Sequence, residues 1–449
     1  MKYRKLTEKL DVGFVPQNEK YVSHLREMIA CKTISEEKYF SKNEFDRFDT
    51  VLKKNYPRVF EASESIELCT GTFLRIPGRK GDSPLVLMSH KDVVFEGKKK
   101  WKAPAYEGRI IKGKMYGRGT FDCKASLCAV FEAVESLLED GFVPERDIYI
   151  FASSTEETAG PDAPAAVEWF RSKGIVPGLV IDEGGAVLRN PFPSPYKRFA
   201  MIGAVERSSG RFIFDCESEK IAKAFAKKIK KLRPGVYDMY PEVSGLVNGL
   251  AGYLNAPLGS IVGLLGRHPA AAKSILTHCG ADARSFCGAI TGAKKLTEEE
   301  KNDLEAKHGR LSNPIRVSAS GNYYNKIDAL TDEVKSIAAK FGMKSVSEYI
   351  RETEKPVSPD SAGYRFTGEV ASLVFDNIGV LPYPVLGRTD SRYFIGYAED
   401  VIRFIPVEIS LAQMTKFHCP NENIYTDSLP GAVKFYREAI KQYFRSFDE

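Results

Sequence analysis

Leu85-Val86-Leu87-Met88-Ser89-His90-Lys91-Asp92 is an apolar run of strand length that ends abruptly in an imidazole and a carboxylate. The turn-forming Gly81-Asp82-Ser83-Pro84 precedes it, and a continuous apolar run bounded by turn residues predicts a buried strand. The next hundred residues decide the fold. Leu127, Phe131, Val134 and Leu138 stand at helical spacing over 124–138, and Gly141 and Pro144 close that helix. Asp147-Ile148-Tyr149-Ile150-Phe151-Ala152 predicts the next strand, Ala163 to Lys173 a helix, and Gly178 to Ile181 another buried strand. This alternation predicts an α/β fold: a mainly parallel, twisted sheet with helices on both faces. Such sheets bind ligands at the carboxyl ends of their strands, where this chain keeps acidic residues and one histidine.

Further along, the texture changes near residue 205. Arg211 to Cys216 alternates like a half-exposed strand, and 218–232 reads as a Lys-rich amphipathic helix. Residues 240–312 hold Gly- and Ala-rich helical pieces and a charged run, Thr297 to Lys307; a strand at Ile315 to Ala319 and a helix over 328–341 come after them. Then α/β texture returns, with a helix near 361–377, the loop Gly387 to Arg392, a strand near 400–405 and a last helix over 429–446. The expected organisation is a catalytic domain in two parts, 1–204 and 351–449, interrupted by an inserted α+β lid domain at 205–350. A chain of 449 residues is long enough for two cores.

With 43% hydrophobic and 28% charged residues, the composition is that of an ordinary globular chain. A net charge of +6, spread over Lys runs without interleaved aromatic residues, argues against a nucleic-acid partner. No window approaches the ~18 consecutive apolar residues of a membrane span, so no membrane partner is expected. The eight cysteines form no Cys-x-x-Cys pair. Their dispersal, with a charged N-terminus unlike a secretory signal, predicts a cytoplasmic location.

Four strand ends or turns carry metal-type ligands: His90 with Asp92, Asp122 at a Gly-rich turn entering a helix, Glu156-Glu157, and Asp182-Glu183. His418 stands far downstream in Phe417-His418-Cys419-Pro420-Asn421-Glu422. Singly each is weak: a His-x-Asp pair is usually structural, paired glutamates usually a solvated turn, and a strand-end Asp usually a cap. Together they bring carboxylates to one sheet edge, where mutual repulsion raises pKa values unless cations neutralise them. A mixed His/Asp/Glu set suits zinc or related ions better than calcium.

These stretches resemble the co-catalytic zinc metallopeptidases that include carboxypeptidase S, glutamate carboxypeptidase, aminoacylase and succinyl-diaminopimelate desuccinylase. The carboxypeptidase S-like and N-acyl-amino-acid hydrolase members are nearest. The likeness covers about 60–195 and 355–445. It rests on Ser89-His90-Lys91-Asp92, Trp101 with Pro104, Tyr116-Gly117-Arg118-Gly119-Thr120-Phe121-Asp122, Glu156-Glu157, Asp182-Glu183-Gly184, Gly387-Arg388-Thr389-Asp390-Ser391-Arg392 and His418-Cys419-Pro420-Asn421-Glu422. The resemblance implies two divalent ions, zinc with cobalt or manganese as alternatives. Asp122 would bridge them, His90 and Asp182 completing one site, Glu157 and His418 the other. Asp92 would orient His90, and Glu156 would serve as general base toward the attacking water. It also implies Arg392, Arg316 and Asn421 as substrate-binding residues, the arginines gripping a carboxylate.

The expected activity is hydrolysis of an amide bond next to a free carboxylate, in a small peptide or N-acylated amino acid: a carboxypeptidase, dipeptidase or N-acyl-amino-acid hydrolase. Alternatives are an aminopeptidase of the same family and a metal-containing binding protein without turnover. Relatives place a Gly-Gly-His-x-Ser segment early in the lid, its histidine reaching across a homodimer. Here Ser209 to Glu219 holds no histidine, and His268 and His278 are the histidines of the lid's middle part.

Overall fold

The computed structural model describes residues 3–68, 70–191, 194–230, 248–265, 289–322, 327–351, 356–385 and 387–446. Two compact units emerge. One comprises Met1–Ala204, Val357–Pro382 and Arg388–Glu449; the other comprises Val205–Pro356 with Tyr383–Gly387.

In chain order the first unit opens with α1 (Asn18–Ala30), α2 (Lys42–Asn55), α3 (Pro57–Ala62), β1 (Glu64–Ser65), β2 (Thr72–Ile76) and β3 (Lys80–His90). The hairpin β4 (Arg109–Ile111) and β5 (Lys114–Tyr116) leads into α4 (Lys124–Glu139), β6 (Arg146–Ser153), α5 (Asp162–Lys173) and β7 (Leu179–Asp182). Then come β8 (Ala186–Arg189) and β9 (Arg198–Val205). The second unit contains β10 (Arg207–Asp215), α6 (Glu219–Lys230), α7 (Leu258–Leu265), β11 (Ala289–Lys295), α8 (Glu298–His308), β12 (Ile315–Asn322), α9 (Ile327–Lys340) and β13 (Lys344–Arg351). The chain ends with α10 (Ala362–Val374), β14 (Ile378–Pro384), β15 (Asp400–Arg403), β16 (Glu408–Ile409), α11 (Leu411–Met414), β17 (Asn423–Tyr425) and α12 (Leu429–Ser446).

Among the described residues, the first unit is built on a 10-stranded sheet in the order β1-β2-β6-β3-β7-β15-β9-β8-β16, with β14 on β9. Its centre, β6-β3-β7-β15, is parallel throughout, and antiparallel pairs lie outward of it. Val86 and Met88 of β3 pack with Tyr149, Phe151 and the α5 residues Ala166, Val167 and Phe170 on one face. Leu85 and Leu87 point to the other face by the two-residue alternation of a strand, where α4 packs on β3 and α1 and α12 pack on α4. Helices therefore cover both faces, as the alternation of elements predicts. One local expectation is corrected: Gly81 to Pro84 is not a turn before the strand but part of β3. The register slips between Lys80 and Leu85, and that irregularity accommodates the proline.

Among the described residues, the second unit is a four-stranded antiparallel sheet, β11-β12-β10-β13, with α6 and α9 packed on it. Phe212 and Phe214 from β10, Val317 from β12, Phe225 and Ile229 from α6 and Val334 from α9 form its core. His268 and His278 lie outside the described residues. No helix among the described residues is long and apolar enough to cross a membrane.

Candidate active site

Parallel pairing sets the stage. In β3–β6 register His90 stands opposite Ser153, and in β3–β7 register Leu87 stands opposite Ile181. The residues just past three neighbouring strands, His90, Glu156-Glu157 and Asp182-Glu183, therefore emerge at one carboxyl edge. The Glu156-Glu157 loop is tied down by Asp162 at the start of α5, whose carboxylate accepts the Ser154 N–H at 2.8 Å and the Thr70 N–H at 3.0 Å. Asp122 arrives from the turn between β5 and α4. Gly119 holds that turn with φ +85°, and a Cβ there would meet Val93 Cγ1 at 2.9 Å, so glycine is required on both counts. His418 comes from the segment between α11 and β17 and itself has φ +51°.

His90, His418 and Glu157 converge on Asp122. Its Oδ1 lies 3.0 Å from His90 Nε2 and its Oδ2 lies 2.9 Å from His418 Nε2. His418 Nε2 is also 3.0 Å from Glu157 Oε2. Ligand atoms of His90, Asp122 and Glu157 all lie within 4.8 Å of one another, and so do those of His90, Cys123 and Glu183. Each oxygen of one buried carboxylate thus faces a different imidazole, as a bridging ligand between two ions requires.

Asp92 does more than the sequence suggests. His90 Nδ1 lies 2.9 Å from the main-chain oxygen of Asp92, while the Asp92 carboxylate stands at 3.4 Å. That carboxylate accepts the backbone N–H groups of Glu156 at 3.3 Å and Glu157 at 3.1 Å. Asp182 presents Oδ2 to the Ser391 N–H at 2.8 Å. The neighbouring Glu183 brings its carboxylate to 3.7 Å from His90 Nε2.

The three residues expected to bind substrate have partners of their own. Arg392 is buried and folded back on its own loop, donating to the Thr389 oxygen at 2.7 Å and the Tyr393 hydroxyl at 3.0 Å. Arg316 belongs to the second unit, where its guanidinium pairs with Glu300. Asn421 accepts the Lys102 N–H at 2.6 Å through Oδ1. Three further residues come into contact with the centre: Glu183, Cys123, whose Sγ accepts the His90 N–H at 3.1 Å, and Glu422, whose carboxylate accepts the Asp122 N–H at 3.2 Å. All three adjoin residues already singled out, and the contacts of Cys123 and Glu422, made through backbone N–H groups, carry no sequence signature.

Electrostatics strain this cluster. Burial pushes the Glu156 carboxyl well above its ordinary value, and the charge of Glu183 adds to the effect. Burial and then Asp122 raise Glu183 to about 8, and burial followed by the Asp122 charge also raises Glu157. Burial raises Asp182, and burial with the Asp182 charge takes Asp390 to about 7. Burial alone would raise Asp122 too, but hydrogen bonds from His418 and His90 hold it far below the usual range. His418 in turn is lifted to about 11 by its bonds to Asp122 and Glu157. Glu157 Oε1 is buried without a hydrogen-bond partner. Two imidazoles, several crowded carboxylates and an orphaned carboxylate oxygen are a donor set that fits divalent cations, and a His/Asp/Glu mixture fits zinc.

Residues 86–442 match the family described as peptidase family M20/M25/M40. The N-fatty-acyl-amino acid synthase/hydrolase PM20D1 of Xenopus tropicalis is 24% identical over 451 residues, covering 95% of this chain and 86% of that protein. The probable carboxypeptidase S-like 2 of Dictyostelium discoideum is 23% identical, covering 89% and 79%. The solved M20 family metallo-carboxypeptidase Sso-CP2 of Sulfolobus solfataricus superposes with TM-score 0.65 at 15% identity, over 94% of this chain and 99% of that one.

Proposed function

This chain belongs to peptidase family M20/M25/M40 and is a hydrolase, and from that premise we propose that it uses two divalent cations to cleave an amide bond beside a free carboxylate. The substrate is a small peptide or an N-acylated amino acid. The observation that carries the reading is the straddled carboxylate of Asp122, one oxygen on His90 and the other on His418. Asp122 would be shared between the two cations; His90 and Asp182 would complete one site, and Glu157 and His418 the other. The Ser391 N–H on Asp182 Oδ2 supports a ligand role, because ligating carboxylates are themselves held by hydrogen bonds. Bound cations lower the pKa of water and polarise the scissile carbonyl.

Glu156 takes the proton of the attacking water and passes it to the departing nitrogen. Burial raises its proton affinity, which suits a group that accepts a proton and then passes it on. Asp92 fixes that base and the adjacent ligand together through their backbone N–H groups. Arg392 turns from its loop to the substrate carboxylate. The names of the relatives, an N-fatty-acyl-amino acid hydrolase and a carboxypeptidase S-like protein, support this substrate class.

The test is a panel of N-acyl amino acids and dipeptides, each with free and amidated carboxyl ends, assayed with added zinc, cobalt or manganese. Cleavage of free-acid substrates, more than tenfold better than of their amides, is expected. Activity indifferent to the carboxylate but dependent on a free amino terminus would move the assignment to an aminopeptidase. No cleavage with cations bound would leave a binding protein.

A further inference from the structure

Glu422 lies four residues beyond His418, yet its side chain serves a different loop. Oε1 accepts the backbone N–H groups of Phe121 at 2.8 Å and Asp122 at 3.2 Å, and the Thr120 hydroxyl at 3.4 Å. Oε2 accepts Arg118 Nη1 at 2.6 Å. The Glu422 main-chain oxygen accepts the Gly117 N–H at 3.1 Å, extending the β17–β5 ladder in which Asn423 faces Tyr116. Both members of the ion pair are fully buried. We propose that Glu422 is a positioning residue for the bridging carboxylate: it rivets the His418 loop to the 117–122 turn and so sets the place of Asp122 between the two cation sites. The proposal rests on the two-cation reading above.

Backbone geometry shows why such a rivet is needed. His418 and Asn421 both adopt left-handed conformations, with φ +51° and +67°, and His418 is half exposed. A segment with two non-glycine residues in that region holds its shape only when its surroundings over-determine it. Asn421 is anchored to the Lys102 N–H, and Glu422 supplies the inward anchor. The 117–122 turn is as dependent: its last two N–H groups, Phe121 and Asp122, point at one oxygen. Arg118 donates to the other oxygen of the same carboxylate, Oε2. Its Nε and Nη2 are buried without hydrogen-bond partners, and its guanidinium sits 5.3 Å from the Trp101 ring centre. A plain structural ion pair needs only Arg118; the contacts to Phe121 and Asp122 connect Glu422 to the cation site.

Two variants of the full chain separate these roles. E422A removes the acceptor. E422Q/R118M keeps a carbonyl acceptor for the two N–H groups but replaces the ion pair by an amide and an apolar side chain able to pack on Trp101. Each EDTA-stripped protein is titrated with Zn2+ against a competing chelator, and amide hydrogen exchange is followed without metal. In E422A one Zn2+ should bind about 10–100-fold more weakly, the range for residues that support ligands. Exchange should quicken in peptides spanning 117–124 and 415–425 and be unchanged elsewhere. E422Q/R118M should recover both affinity and protection to within a few fold. Wild-type affinity for both ions in E422A overturns the proposal, and so does a folded E422Q/R118M that binds Zn2+ as weakly as E422A. If E422A does not fold, the double variant decides alone against the wild type: affinity within a few fold supports the proposal, and binding about tenfold weaker or worse overturns it. A wild-type chain that binds no Zn2+ overturns the two-cation reading itself, whatever the variants do.

Discussion

Asp92→Asn exchanges a buried carboxylate for an amide of the same shape, so its effect can be worked from two hydrogen bonds. The carboxylate gives one oxygen to the Glu156 N–H and the other to the Glu157 N–H. An asparagine has one acceptor oxygen; its NH2 group must face the second N–H, donor to donor. One buried amide is left unpaired, at a cost of about 1–3 kcal/mol. That cost corresponds to roughly 5- to 150-fold in the population of the native loop. The two amides belong to the proposed base and to a proposed ligand, so the loss falls on both. Asp92→Asn should fold, bind Zn2+ more weakly and lose kcat by about 10–100-fold with KM little changed. Steady-state kinetics on the best substrate of the panel, with chelator-competition metal binding and thermal unfolding alongside, check this. Turnover and Zn2+ affinity within twofold of wild type would refute the argument that this carboxylate holds the loop.

The same geometry sets the other expectations. Glu156→Gln should keep its metal content and fold but lose at least ~10²-fold in kcat, the lower end of general-base contributions; near-normal turnover removes Glu156 from the base role. Asp182→Asn should lose one ion from the wild-type stoichiometry while Glu183→Gln keeps both, read by elemental analysis; the reverse result would transfer the ligand role to Glu183. Asp11 is held below the usual carboxylate value, where burial alone would raise it, by hydrogen bonds from Arg437 and Lys441. A depressed folded pKa stabilises the fold above the unfolded value near ~3.9 and loses that contribution as pH falls through the folded value. Asp11→Asn should therefore cost roughly 1.5–3 kcal/mol at pH 7, and its Tm deficit should shrink below about pH 4; a deficit independent of pH would sink the argument.

Much of the first unit is legible because burial on both faces writes itself into the sequence. Leu85 to Met88, Ile148 to Ala152 and Leu179 to Ile181 are continuous apolar runs, and each proves to be a central parallel strand. The misreading at Gly81 to Pro84 has a physical source: turn composition and a register slip at the start of a strand call for the same residues. The helices α1 to α3 carry a readable stripe, as Phe45, Phe48 and Leu52 of α2 show, but their many charges hide it. The second unit's elements near 218–232, 315–319 and 328–341 are legible from amphipathic spacing, since each presents one apolar face to the core around Phe212 and Val317. Its boundary is less so. Tyr383–Gly387 joins that unit from beyond the point where the α/β texture resumes, because a contact between distant segments leaves no local pattern.

Legibility at the site obeys a different rule, and it separates what a residue is from what it does. A proposed metal ligand is drawn from a short list of residue types, His, Asp, Glu and Cys, so type and position together narrow the choice, as with the proposed ligands His90, Asp122, Glu157 and His418. A carboxylate that holds a loop by accepting its N–H groups faces no such restriction on what it binds, since every residue but proline offers that donor. Asp92 and Glu422 both work in this way, on Glu156-Glu157 and on Phe121-Asp122. Each sits a few residues from a histidine ligand on one loop and braces the carboxylates of another. The loop that carries each histidine is thus hydrogen-bonded through its acid to the loop that carries the carboxylates. Arg392 stands at the opposite extreme: its type and loop suggest a substrate contact, yet its donors are engaged with Thr389 and Tyr393. Releasing them costs hydrogen bonds that only a substrate carboxylate would replace with stronger ones. On the proposed role of Arg392, discrimination against an amidated substrate would follow from this resting position, because a neutral end group cannot compensate the bonds that the arginine must break.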